Sequence, residues 1–335
     1  MRKYQSEFGL HAFLANHMIL SSNQLYDPYM KKLDFSFHMY SILSVPKLFF
    51  RTDGILQTKQ DITLKLFASN NMLEPQYEFK MTFESIKDHS KLDISSKPPY
   101  TNIIVKIDDE QYRSDAVSEA FSQITDYSSL EIMMECASQI QSDLVCEVLY
   151  IGQAYGKDGS RNAVDRLLSH KTFQKILLDC QNSYSDRDLL IMLMDYNHCL
   201  LSSFDGISDE FEVSDNEDNE HIQSVTSDIL DKKLIINIVE AAMIHYFRPK
   251  YNVSFSDSFP RAKHSSYRHC YDKDYNAISI ENDWDIDGFP HIVLHTKTAS
   301  IQHKFDFIRY TLNNSRNRKS MFDIFSADRK VNQSG

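Results

Sequence analysis

Tyr150, Arg166, His170 and Glu240 are the side chains here whose types and spacing suggest chemistry. A phenol and an imidazole can carry protons, and a guanidinium can grip an oxyanion through its planar fork. The first three lie in the stretch from Leu149 to His170, LYIGQAYGKDGSRNAVDRLLSH. That stretch also holds Gly152, Gly156 and Gly159, in a chain with only 8 glycines among 335 residues. Glycine is used where backbone must bend or come close to another group. Arg166 and His170 are four residues apart, which puts them on one face if a helix carries both. Glu240 sits among Ile236, Met243 and Phe247 in helical projection. A carboxylate buried there needs a cation, an arginine or a metal, because an unpaired one costs several kcal/mol.

The elements that position these groups are legible as patterns. Leu144 to Ile151 reads as a strand, and Asn162 to Ser169 and Thr172 to Cys180 as two short helices, with Ser160 or Asn162 and Thr172 as caps. Leu189 to Tyr196, LLIMLMDY, suits a strand buried on both faces. Lys232 to Phe247 is apolar all the way round and stops at Arg248-Pro249, so it reads as an enclosed helix. Upstream, Ser129 to Gln141 has helical spacing, Ile62 to Phe67, Tyr77 to Phe83 and Asn102 to Ile107 read as strands, and residues 5 to 20 read as helical. Downstream, Ala277 to Ile280, His291 to Leu294 and Phe305 to Leu312 are short apolar stretches.

Composition sets outer bounds. No run of about eighteen apolar residues exists, so no membrane span is expected. The five cysteines are scattered without a CxxC pair, which fits a reducing, cytoplasmic setting. The net charge of -11 argues against a nucleic-acid binder, but the distribution weakens that argument: eight of the acids fall between Asp205 and Glu220 with no Lys or Arg among them. That segment reads as a loop insertion, over 203–221, too polar to pack. Around Tyr150 to Lys175 the balance reverses, with Lys157, Arg161, Arg166, Lys171 and Lys175 against Asp158 and Asp165.

The ordered set of Tyr150-Ile151-Gly152, Arg166, His170, and EAAMIHYFRPKYN from Glu240 to Asn252 resembles the GIY-YIG nuclease family. The resemblance covers about 144–253. It implies an α+β fold, in which a central GIY-YIG-like domain with a small antiparallel sheet flanked by helices spans 126–253. An N-terminal α+β accessory region at 1–125 and a small C-terminal extension at 254–335 complete the chain, with a protein partner conceivable for the first. It further implies metal-dependent hydrolysis of a phosphodiester in nucleic acid, with DNA as the expected substrate. Tyr150 would be the base or proton shuttle and Arg166 the grip on non-bridging oxygens. His170 would assist proton transfer, and Glu240 would hold one divalent cation, Mg²⁺. Gly152 and Asn252 would position the site, and Lys157 and Arg161 would contact phosphate. The family's first motif, a Gly-Ile-Tyr strand just before the second, is not evident upstream of Tyr150. The candidates for that strand are the IIVKI run at 103–107 and Glu131 to Cys136, and neither brings a tyrosine into place. The alternative is a catalytically weakened domain that binds nucleic acid or protein.

Overall fold

The computed structural model describes residues 1–323 apart from 28–29, 31–36, 84–85, 87, 108–123, 157–162, 205, 207, 209, 228–229, 254–258, 260–264, 304 and 313–317. In chain order the strands β1 (Glu7–Ser21) and β2 (Met39–Pro46) come first. Next come β3 (Leu48–Gln57), β4 (Ile62–Ala68), β5 (Tyr77–Met81), β6 (Leu92–Ser95), β7 (Asn102–Ile107) and β8 (Ile124–Ser128). Helix α1 (Ser129–Glu135) leads to β9 (Leu144–Gln153), then to α2 (Ala163–Leu168), α3 (Lys171–Asn182) and β10 (Arg187–Ser203). The remainder is α4 (Asp215–Thr226), α5 (Lys232–Phe247), α6 (Ser265–Asp272), β11 (Ala277–Asp283), β12 (Ile292–His295), β13 (Ser300–Ile301) and β14 (Phe305–Thr311).

The expected small antiparallel sheet with appended regions is not what forms. One eight-stranded sheet dominates, in the order β13-β12-β9-β2-β10-β1-β11-β14, curled into a nearly closed barrel. It is mixed: β1–β11 and β12–β9 are parallel and the other pairs antiparallel. Strands from before 125, from the middle and from beyond 253 all share it. Two three-stranded antiparallel sheets, β3-β4-β5 and β6-β7-β8, lie between β2 and β9 in sequence. The curl has a visible cause. Helix α5 packs on β9 and β10 and also on β14, the far edge strand. A flat sheet could not present both to one helix. The apolar girdle of α5, from Ile235 to Phe247, is buried on all sides as a result. It merges with Met39, Leu43, Ile151, Met192, Met194 and Ile278 into the main core. The opposite face of β2, β9 and β10 buries Tyr40, Ile42, Leu149 and Ile191 against α2 and α3. Each central strand is thus covered twice, which is why β10 reads as an unbroken apolar run.

Residues 5–20 form no helix; β1 spans most of them. Phe8, Leu10, Ala12 and Leu14 alternate, but a bulge between Leu14 and Asn16 shifts the register, so the later buried positions fall out of phase. A broken period of two imitates a helical one. The acidic stretch is likewise structured. Ser214 and Glu217 form a capping box that opens α4. Asp218 accepts a hydrogen bond from Gln5 N at 2.9 Å, and His221 stacks on Tyr4 with ring centroids 3.7 Å apart. Behind this contact, Glu7 is fully buried and paired with Arg318, which also binds Asp274 at 2.7 Å. The five cysteines are free, and no helix among the described residues is long and apolar enough to cross a membrane.

Candidate functional site

The strand beside β9 is β2, in antiparallel register with Tyr40 opposite Gly152 and Ile42 opposite Tyr150. Neither stretch proposed from sequence takes this place. Residues 103–107 lie in β7, in a separate sheet, and 131–135 lie in α1. The pairing brings a second tyrosine to the first: the Tyr40 and Tyr150 rings are 6.0 Å apart between centroids. His170 completes a cluster, with its ring 5.5 Å from Tyr150 and 6.2 Å from Tyr40, and its Nδ1 3.4 Å from the Tyr40 hydroxyl. Sequence reading missed Tyr40. The available signal was the apolar run MYSILSV at 39–45, which lies far upstream because both small sheets are inserted between β2 and β9.

Gly152 is needed at its position. A Cβ there would lie 2.7 Å from the Tyr40 Cζ and hydroxyl and 2.7 Å from Tyr150 Cε1. No side-chain atom fits without moving both rings. Gly152→Ala is expected to lower stability by about 1–3 kcal/mol, the usual cost of overpacking. Urea denaturation measures this, and unchanged stability would show that the rings yield freely.

The loop after β9 returns through α2, anchored where Ala163 N donates to Phe37 O at 2.9 Å and Ala154 N donates to His38 O at 2.8 Å. Arg166 and His170 do not share a helix face as their spacing suggested. Helix α2 ends at Leu168, and His170 is the extended residue that caps α3. The chain turns between them, with His170 N donating to Leu167 O at 3.0 Å. Both side chains still reach the site. The positive charge of Arg166 acts on Tyr40, Tyr150, His170 and Glu240 alike. Lys157 and Arg161, expected to contact phosphate, lie outside the described residues.

Glu240 projects from α5 toward the end of β9. The Gln153 side-chain amide donates to Glu240 Oε2 and to Asn237 Oδ1, both at 2.6 Å, so each of its hydrogens has an acceptor. Asn237 precedes Glu240 by one helical turn and therefore shares its face. Gln153 and Asn237 were not singled out from sequence; the readable hint was a second polar residue at helical spacing on an otherwise apolar helix. Asn252 holds β9 from its other edge. Its Oδ1 accepts from Ile151 N at 2.9 Å and its Nδ2 donates to Ile151 O at 2.8 Å. Tyr251 N donates to Leu149 O at 3.1 Å. Strand β12 pairs with β9 only from Leu144 to Glu147, so residues 251–252 finish that edge on both sides of Tyr150. This satisfies backbone groups that would otherwise be left unpaired.

The charges of the site are set by burial. Loss of water pushes the Glu240 carboxyl up to about 7, against the opposing pull of the Gln153 hydrogen bonds and Arg166. Burial pushes the Tyr40 phenol well above its ordinary range, helped by Tyr150 and Glu240 and opposed by Arg166. Tyr150 is also raised, by burial first and then by Glu240, while Tyr40's hydrogen bond and Arg166 favour its ionised form. Arg166 therefore does not bring Tyr150 down toward neutrality, as a tyrosine base would need. His170 is lowered, by burial and by Arg166, so its imidazole is neutral at neutral pH.

A divalent cation can be tested against these residues. Among the described residues no group of three or more His, Cys, Asp or Glu side chains is placed to hold a metal. Glu240 stands as a lone carboxylate, disfavoured in its charged form by its surroundings. A single carboxylate could hold only a cation that keeps most of its ligands as water, which is the habit of Mg²⁺. A separate cavity, lined by Val45, Leu48, Tyr77, Arg187 and His295, lies where the inserted sheets meet the barrel and contains none of these side chains. No protein-family model, curated protein or solved structure matches the chain.

Proposed function

We propose that the chain is a metal-dependent nuclease of GIY-YIG-like type, hydrolysing a phosphodiester of nucleic acid, with DNA the first substrate to test. The observation that carries this reading is the meeting of Tyr40 and Tyr150 on adjacent strands, with His170 against both and Arg166 within electrostatic reach of all three and of Glu240. Phosphodiester hydrolysis requires an acceptor for the proton of water, a counter-charge for the crowded phosphate, and help for the departing oxygen.

The residues divide these tasks. His170, neutral at working pH, is the group able to take a proton. The Tyr40 hydroxyl beside its Nδ1 can relay that proton. Tyr150 orients the attacking water through its hydroxyl and stays protonated at rest, since burial and Glu240 disfavour the phenolate. Arg166 grips non-bridging phosphate oxygens. Glu240 would hold Mg²⁺, with Gln153 fixing the carboxylate's orientation and Asn237 fixing Gln153. The cation, when bound, supplies charge to the phosphate and the leaving oxygen. Gly152 and Asn252 keep β9 in register and Tyr150 in place.

A pH dependence follows with a defined sign. The raised carboxyl of Glu240 must be ionised to hold a cation, so the cleavage rate rises through about pH 7 and levels above it. Protons and metal compete for the same oxygens, so more Mg²⁺ shifts the midpoint to lower pH. Rates between pH 5.5 and 9 at two Mg²⁺ concentrations check this; a midpoint indifferent to Mg²⁺ would remove Glu240 from the metal.

A further inference from the structure

A basic and aromatic cluster adjoins the site along the edge of β9. Lys250 directly precedes the two residues that clamp the backbone on both sides of Tyr150. Its ammonium donates to the Tyr184 hydroxyl at 2.7 Å and lies 4.4 Å from that ring's centroid and 5.1 Å from that of Tyr251. From α3, Lys175 Nζ comes 6.0 Å from the Tyr251 ring. The Tyr251 hydroxyl donates to Asp179 Oδ2 at 2.8 Å, so this carboxylate is engaged with the phenol. Lys171 follows His170 directly and lies one turn before Lys175 on the same helix face.

All three lysines are exposed, and among the described residues none of them forms an ion pair with a carboxylate. In a chain of net charge -11, uncompensated cations beside a candidate phosphodiester site stand out. Tyr184 and Leu178 are exposed next to them, at 42% and 57%. Ammonium groups interleaved with aromatic rings form the kind of surface that tracks a sugar-phosphate backbone and stacks on bases.

We propose that Lys171, Lys175, Lys250 and Tyr184 form the track for the nucleic-acid strand that runs from the site. The lysines hold successive phosphates and Tyr184 stacks on an unpaired base. The track rests on the nuclease reading for its substrate, but binding can be measured without cleavage.

The test uses the full chain in EDTA, with fluorescently labelled single-stranded and duplex oligonucleotides, and reads anisotropy from 50 to 200 mM salt. Lys175→Gln with Lys250→Gln should weaken binding roughly tenfold and lower the salt slope by about two. Tyr184→Ala should weaken single-strand binding roughly tenfold and leave duplex binding nearly unchanged. Lys59→Gln, between β3 and β4, with Lys80→Gln, in β5 of the same separate sheet, should change neither, and circular dichroism checks that each variant is folded. Equal losses from this control pair, no loss from the track variants, or no binding by the unsubstituted chain would overturn the track. Cleavage retained in Mg²⁺ by track variants of unchanged affinity would reject the track and leave the nuclease reading standing. Track-dependent binding without any cleavage would do the reverse.

Discussion

Tyr40→Phe should abolish most cleavage, lowering the rate about 10²–10³-fold, while leaving the fold intact. The ring is almost fully buried and packs among Ile42, Ala163 and Leu167, and phenylalanine keeps all of that packing. Only the hydroxyl is lost, together with its 3.4 Å approach to His170 Nδ1 and its hydrogen bond to Tyr150. Removing it leaves His170 without that relay and removes a hydroxyl that helps the Tyr150 oxygen bear charge. Single-turnover cleavage beside a thermal melt separates the two effects. A rate within threefold of the parent would show that Tyr40 is only a strand aromatic that fills space.

Glu240→Gln should act on function and stability in opposite directions. Function should fall by about 10³-fold or more, because the carboxylate that would hold the cation is gone. Stability at pH 8 should rise. Burial lifts the folded-state carboxyl to about 7, above its unfolded value, so the protonated form is the one the fold favours. The resulting stability is fully present below the unfolded value and is lost as pH rises through about 7. A glutamine has no charge to lose, and the gain at pH 8 should be about 1–3 kcal/mol, reduced by the partial exposure of the side chain. Mg²⁺ should raise the melting temperature of the parent chain and not that of the variant. A variant that melts lower at pH 8, or one that Mg²⁺ still stabilises, would contradict this view of Glu240.

What was legible in the sequence follows from how local each signal is. Helix α5 was readable to the residue, from Lys232 to Phe247, since an all-round apolar pattern ended by Arg248-Pro249 needs no tertiary information. Its glutamate stood out for the same reason. Tyr40 did not, because its importance comes from pairing with β9 across two inserted sheets, and strand pairing at that distance leaves no periodic trace. The eight-stranded sheet was hidden likewise: β1 carries a bulge that spoils its alternation, and the closing strands β11, β12 and β14 come from the far end of the chain. Ser214 and Glu217 stand at capping-box spacing for helix α4, but the eight acids between Asp205 and Glu220 pointed to a loop. The turn at Ser169 that takes His170 off Arg166's helix depends on how α2 and α3 pack, and spacing alone could not give it.

The most direct test of the central claim is cleavage itself. The purified chain is incubated with plasmid DNA, single-stranded DNA and RNA, in Mg²⁺ or in EDTA, beside Glu240→Ala. The account predicts strand cleavage by the parent in Mg²⁺, none in EDTA, and none by the variant in either. Absence of cleavage of all three substrates in Mg²⁺, or cleavage that survives both EDTA and the loss of Glu240, would contradict it.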